Sequence, residues 1–249
     1  MKIYPQLNYR RMPLLFALII AFTLASCGGT TGTQPAQKVT IPSPTQPVSG
    51  QQLLTGSVTY VALGASDAVG VGTSQPATQG YVPLLEQKLP AGSHLINLGV
   101  SGIHLHEALS EELPLALSTN PHLITIWLVA NDFIANVSYN SYMQDLNTLL
   151  MRLRNGTQAR IVMANLPNLT LLPIFSRLNK QQKATTLATL LRWNASIASI
   201  AGRYNVAIVD LMAQASLLTS HPEYISGDGF HPSAAGYVQL ANLFWQAIK

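Results

Sequence analysis

The 249-residue chain has a single cysteine, Cys27, so it forms no intrachain disulfide and has no cysteine cluster to hold a metal. Charge is scarce too. Asp, Glu, Lys and Arg make up 10% of residues against 48% hydrophobic, which excludes a charge-rich disordered chain. The basic surplus is local: without Lys2, Arg10 and Arg11, ahead of the first apolar run, 11 basic residues face 10 acidic ones. No run of five like charges and no basic stripe interleaved with aromatics follows, so nucleic acid is not an expected partner. The glycines at 64, 70 and 72 do not form Gly-x-Gly-x-x-Gly, and no Gly-Lys-Ser/Thr occurs, which removes the usual nucleotide cradles. His104-x-His106-Glu107 is the one stretch that invites a metal. Residues two apart on a helix do not share a face, and no His-Glu-x-x-His supports it, so no metal is expected.

What is present begins at the N-terminus. The three early cations precede an apolar run, residues 13–22, and then small residues up to Cys27. A positive start, a short apolar core and small residues make a secretory signal. The run falls short of the roughly 20 residues that span a bilayer comfortably. Leu24-Ala25-Ser26-Cys27 resembles the lipobox of bacterial lipoproteins, which implies a signal peptide over residues 1–26 and a lipidated Cys27. Residues 27–52 are rich in Pro, Thr, Gln and Gly, a composition that buries no apolar surface and reads as a tether. The expectation is an extracytoplasmic domain, 53–249, lipid-anchored to a membrane of the bacterial cell envelope.

Within that domain, five apolar runs rich in β-branched residues recur, at 58–63, 94–98, 123–129, 160–166 and 206–211. Helical spacing lies between them. Lys180–Arg203 reads as one helix. A last helix starts near Pro232 and Ser233, with Ala234, Tyr237, Val238, Ala241, Phe244, Trp245 and Ile248 on one face. Strands alternating with helices predict an α/β fold with a central parallel sheet of about five strands. Ligands of such sheets gather at the carboxyl ends of the strands. Asp210, ending the fifth run, is expected to cap a helix. Residues 166–175, rich in Leu and Phe with two prolines, read as a loop that lines an acyl pocket or covers the sheet.

Small and polar residues follow three of the runs: Gly64-Ala65-Ser66-Asp67, Asn97-Leu98-Gly99 and Val129-Ala130-Asn131-Asp132. Gly227-Asp228-Gly229-Phe230-His231-Pro232 stands late in the chain. Together these four segments resemble the SGNH hydrolases, the GDSL esterase/lipase superfamily, over residues 58–249. The resemblance implies a three-layer α/β/α sandwich, flavodoxin-like. It also implies Ser66 as nucleophile, His231 as general base, Asp228 as the acid that orients the imidazole, and an oxyanion hole from the N–H groups of Ser66 and Gly99 and the Asn131 amide. The chemistry has its own logic. A serine hydroxyl needs an adjacent base, histidine titrates near neutrality, and a carboxylate on the second ring nitrogen fixes the tautomer.

Two positions depart from the pattern. Ala65 stands where an acid usually precedes the serine, and Val129 stands where a glycine usually opens the Asn131 segment. The reading is an extracytoplasmic serine esterase, lysophospholipase- or short-chain-esterase-like, probing small-molecule, lipid or carbohydrate esters as a monomer and without cofactor. Acyl transfer from the same residues, and a binding lipoprotein that keeps the fold without catalysis, are its rivals.

Overall fold

The computed structural model describes residues 56–249, so the signal, lipidation and tether expectations lie outside the described residues. Five strands form one parallel sheet: β1 (Thr59–Gly64), β2 (His94–Asn97), β3 (Leu123–Trp127), β4 (Arg160–Ala164) and β5 (Ala207–Val209), in the order β2-β1-β3-β4-β5. The central β3 is buried along its whole length, as a strand covered on both faces must be. The edge strands β2 and β5 are short and only partly buried.

The helices are α1 (Ser66–Val69), α2 (Pro76–Gln79), α3 (Tyr81–Glu86), α4 (Leu105–Glu111), α5 (Leu113–Ser118), α6 (Ala130–Ile134), α7 (Tyr139–Gly156), α8 (Lys180–Arg203), α9 (Ala215–Ser220) and α10 (Ala234–Ile248). α3 and α10 pack on one another, with α10 also against β4 and β5. α4, α5, α7 and α8 pack together to complete a three-layer α/β/α sandwich. None of these helices is long and apolar enough to cross a membrane.

The strands stop one to two residues short of four of the apolar runs. Leu98, Leu128, Val129, Asn165 and Leu166 lie beyond the ladder, because an apolar run outlasts the partner strand that could pair with it. α8 has the expected bounds and starts with a capping box between Asn179 and Gln182. α10 starts as expected, with Ser233 Oγ accepting from the Gly236 N–H. Its buried face is rotated from the expected one, however: Gly236 and Leu240 point inward and Val238 is exposed. Asp210 caps a turn, not a helix, accepting from the Ala213 N–H at 3.1 Å.

Where β1 outruns β2, the Gly64 N–H has no strand carbonyl to meet. Its acceptor is Glu112 Oε2, 3.1 Å away, from a side chain that is 1% exposed. Among the described residues, Glu112 Oε1 has no hydrogen-bond partner. Burial, reinforced by the neighbouring Glu111, pushes this carboxyl up to about 8 against the pull of the Gly64 N–H.

Candidate active site

Ser66 stands at the first position of α1, immediately past the end of β1, and is largely buried. A residue at that position has no intrahelical acceptor for its N–H, so this donor is left for other use. The turn closes quickly: Gly70, at φ 90°, ends α1 by donating to the carbonyls of Ser66 and Asp67.

Asp228 and His231 come from a single hairpin. Ile225 and Pro232 pair across its base, and the Ser226 N–H donates to the His231 carbonyl at 2.8 Å. Asp228 Oδ1 accepts from the Ser226 hydroxyl and from the N–H groups of Phe230 and His231, at 2.7–2.9 Å. Its Oδ2 lies 2.6 Å from His231 Nδ1. Partial burial acts to raise the acid. The hydrogen bonds from the His231 ring, Phe230, Ser226 and the His231 N–H outweigh it and hold Asp228 well below the usual carboxylate range. An ionised carboxylate has no proton to donate, so Nδ1 carries one and Nε2 is left to accept. Ser66 Oγ is 2.9 Å from that Nε2, across 165 residues of sequence. The imidazole is further held by the edge-on Phe230 ring, 4.9 Å centroid to centroid.

The two loops are close enough that one residue must be glycine. Gly72 has φ 101°, and a Cβ there would lie 2.4 Å from the Pro232 carbonyl oxygen and 3.0 Å from the His231 Cβ. Gly72→Ala is expected to displace the hairpin from Ser66. It should lower kcat about 10- to 100-fold and stability by about 1–3 kcal/mol. Ester turnover and thermal unfolding measured together test this, and an unchanged kcat would show that the hairpin is not braced there.

The other expected site residues lie nearby with their donors already engaged. The Gly99 N–H donates to Asn97 Oδ1 at 3.1 Å, and Asn97 Nδ2 donates to the Ala68 carbonyl at 2.7 Å. Asn97, which sequence reading passed over, thus clamps the loop after β2 to α1. Asn131 Nδ2 donates to the Ile103 carbonyl at 2.9 Å, and its amide has a second N–H in reserve. Asp132 holds the same loop, accepting from the Leu105 N–H at 3.0 Å. Val129 is buried, and its negative φ of −142° does not call for the glycine usual at this position. His106 pairs with Asp145 at 3.2 Å, and among the described residues no group of three His, Cys, Asp or Glu could hold a metal.

Beside the site opens an apolar cavity. Leu169, Leu172, Leu240 and Phe230 line it, together with Trp127 and Asp67. The 166–175 loop therefore both contributes to the cavity and, through Leu171 and Ile174, faces solvent. Asp67 is a buried acid next to Ser66. Burial raises its carboxyl to about 6, with His231 opposing and Asp228 adding to the rise. The Trp127 Nε1–H is buried without a hydrogen-bond partner among the described residues.

An imidazole bridging a serine hydroxyl and a carboxylate, at the carboxyl end of a doubly wound parallel sheet, places the protein among the serine hydrolases. The chain belongs to the GDSL-like lipase/acylhydrolase family, which matches it over residues 62–239, and it acts on ester bonds. Solved structures share the fold. TesA is 20% identical with a TM-score of 0.62, over 77% of this chain and 98% of its own. Axe2, an acetylxylan esterase from Geobacillus stearothermophilus, is 21% identical with a TM-score of 0.63, over 79% and 96%. LAE5, an alpha/beta hydrolase from the metagenome of Lake Arreo, is 19% identical with a TM-score of 0.63, over 79% and 98%. No curated protein matches the sequence significantly.

Proposed function

We propose that Ser66, His231 and Asp228 hydrolyse carboxylic esters through an acyl-enzyme. The observation that carries this reading is the unbroken chain Asp228 Oδ2–His231 Nδ1 and His231 Nε2–Ser66 Oγ, at 2.6 and 2.9 Å. Ser66 Oγ attacks the ester carbonyl while Nε2 takes its proton, and the imidazolium faces the ionised Asp228. Nε2 returns that proton to the departing alcohol, leaving Ser66 acylated. Water, deprotonated by the same nitrogen, then releases the acid. The Ser66 N–H and the second N–H of the Asn131 amide are the donors for the tetrahedral oxyanion, joined by the Gly99 N–H once it turns away from Asn97 Oδ1.

The apolar cavity beside the triad supports an apolar acyl group, as in lysophospholipid or fatty-acyl esters. The lipobox-like segment ending at Cys27 supports an extracytoplasmic enzyme held at a membrane. The test is hydrolysis of p-nitrophenyl esters of increasing acyl length, with labelling by a fluorophosphonate probe. The expected result is turnover and labelling, both lost in Ser66→Ala. A folded chain that binds esters yet neither turns over nor takes the probe would overturn the reading.

A further inference from the structure

The loop after β4 is anchored by Leu169 and Leu172, yet Leu171 and Ile174 remain 39% and 57% exposed, with Pro173 exposed between them. It touches the catalytic hairpin directly, the Ile174 N–H donating to the Gly229 carbonyl at 3.2 Å. Val100 and Ile134, after β2 and β3, are also exposed at this carboxyl end of the sheet. Exposed apolar residues scattered singly, such as Leu115 or Leu191 on their helices, are ordinary. Adjacent ones at the mouth of a site are not.

Along the stretch of sequence that holds this loop, charge has one sign. From Leu146 to Val209 the sequence has no Asp or Glu and eight Arg or Lys. Arg152 and Arg154 donate to backbone carbonyls, and Arg192 lies over the Tyr139 ring. Arg177, Lys180 and Lys183 make no ion pair or side-chain hydrogen bond among the described residues, and Arg177 and Lys180 are exposed. Lys180 opens α8 and Lys183 lies within its first turn, where the helix dipole disfavours cations. Helix stability is therefore not the reason for them. Apolar tips followed by unpaired cations form the pattern of a surface that lies in a lipid interface, tips in the acyl boundary and cations on anionic headgroups.

We propose that the Leu171–Lys183 segment docks the protein onto an anionic lipid surface, setting the mouth of the Ser66 site against the lipid. The inference rests on the hydrolase reading only for the purpose it gives the docking. An acidic polysaccharide would engage the cations but would leave Leu171 and Ile174 in water, which disfavours it as the occupant.

The test uses the full chain carrying Cys27→Ser and Ile174→Cys, so that an environment-sensitive fluorophore sits on one thiol at the loop tip. A second chain carries the fluorophore at Gln87→Cys, an exposed position away from the segment. Each is mixed with phosphatidylcholine vesicles, with and without phosphatidylglycerol. The expected result is a blue shift at position 174 but not at 87, needing about tenfold less lipid when phosphatidylglycerol is present. Adding Arg177→Glu and Lys180→Glu should abolish that preference while turnover of a soluble ester is unchanged. A silent probe at 174, an equal shift at 87, or a shift indifferent to lipid charge and to the two reversals overturns the proposal. The vesicle reading needs no catalysis. A chain that cleaves soluble esters but gives a silent probe refutes the docking alone, and a chain that shifts but cleaves nothing refutes the hydrolase reading alone.

Discussion

Replacing Ser66 by alanine is expected to lower ester hydrolysis by about 10⁴- to 10⁶-fold without unfolding the chain. The Ser66 hydroxyl meets the imidazole at 2.9 Å, and its loss removes the attacking atom while Asp228 and the hairpin bonds keep His231 in place. His231→Ala should cost a similar factor, and the double variant little more than either single one, because the two act as one unit. Asp228→Asn is the more discriminating change. An amide in place of Oδ2 would present N–H to Nδ1, turn the imidazole to the wrong tautomer, and lower kcat about 10³- to 10⁴-fold. Initial rates on a soluble p-nitrophenyl ester, with circular dichroism to establish folding, decide the set. A double variant that multiplies the single losses would mean that the three do not act together.

Glu112→Gln is expected to make the protein more stable as pH rises. The wild-type carboxyl is held near 8 in the fold, against an ordinary value of 4.5. Between those values the folded state keeps a proton that the unfolded chain gives up. The stability this confers is therefore full below about 4.5 and is lost as pH rises through 8. Glutamine does not titrate, and its side-chain oxygen can still accept from the Gly64 N–H. The advantage of the variant should grow across that window to about 3–5 kcal/mol. Glu112→Ala, which does not titrate either, should stay about 1–3 kcal/mol below the glutamine variant at every pH, since the buried Gly64 N–H loses its acceptor. Denaturant unfolding at pH 5 and pH 8.5 separates these, and a gap that narrows with pH would contradict the buried neutral acid.

Much of this architecture was legible before any coordinates, for local reasons. β-Branched runs covered on both faces stay apolar, so all five strands were visible, and Pro232 and Ser233 marked the start of α10. The phase of α10 was not legible. Its sequence is apolar nearly all round, so periodicity accepted Val238 in place of Leu240, and only packing against α3, β4 and β5 chose between them. Ser66, Asp228 and His231 stood out because their segments, taken with those of Gly99 and Asn131, together resemble the SGNH hydrolases. Asn97, Ser226 and Glu112 carried no such mark. Asn97 reaches back 29 residues to Ala68 and Glu112 reaches back 48 to Gly64, and nothing local announces such contacts. Ser226 reads as an ordinary turn serine until its hydroxyl is seen on Asp228.

The Ile225–Pro232 hairpin gives the constellation a single seam. Acid and imidazole are stitched by hydrogen bonds within their own loop, whereas the hydroxyl stands past the end of β1. The two halves meet at Ser66 and His231, and again where Gly72 lies against the Pro232 carbonyl. A substitution along that contact therefore acts on the distance between hydroxyl and imidazole, while the half built from Asp228 and His231 keeps its own hydrogen bonds.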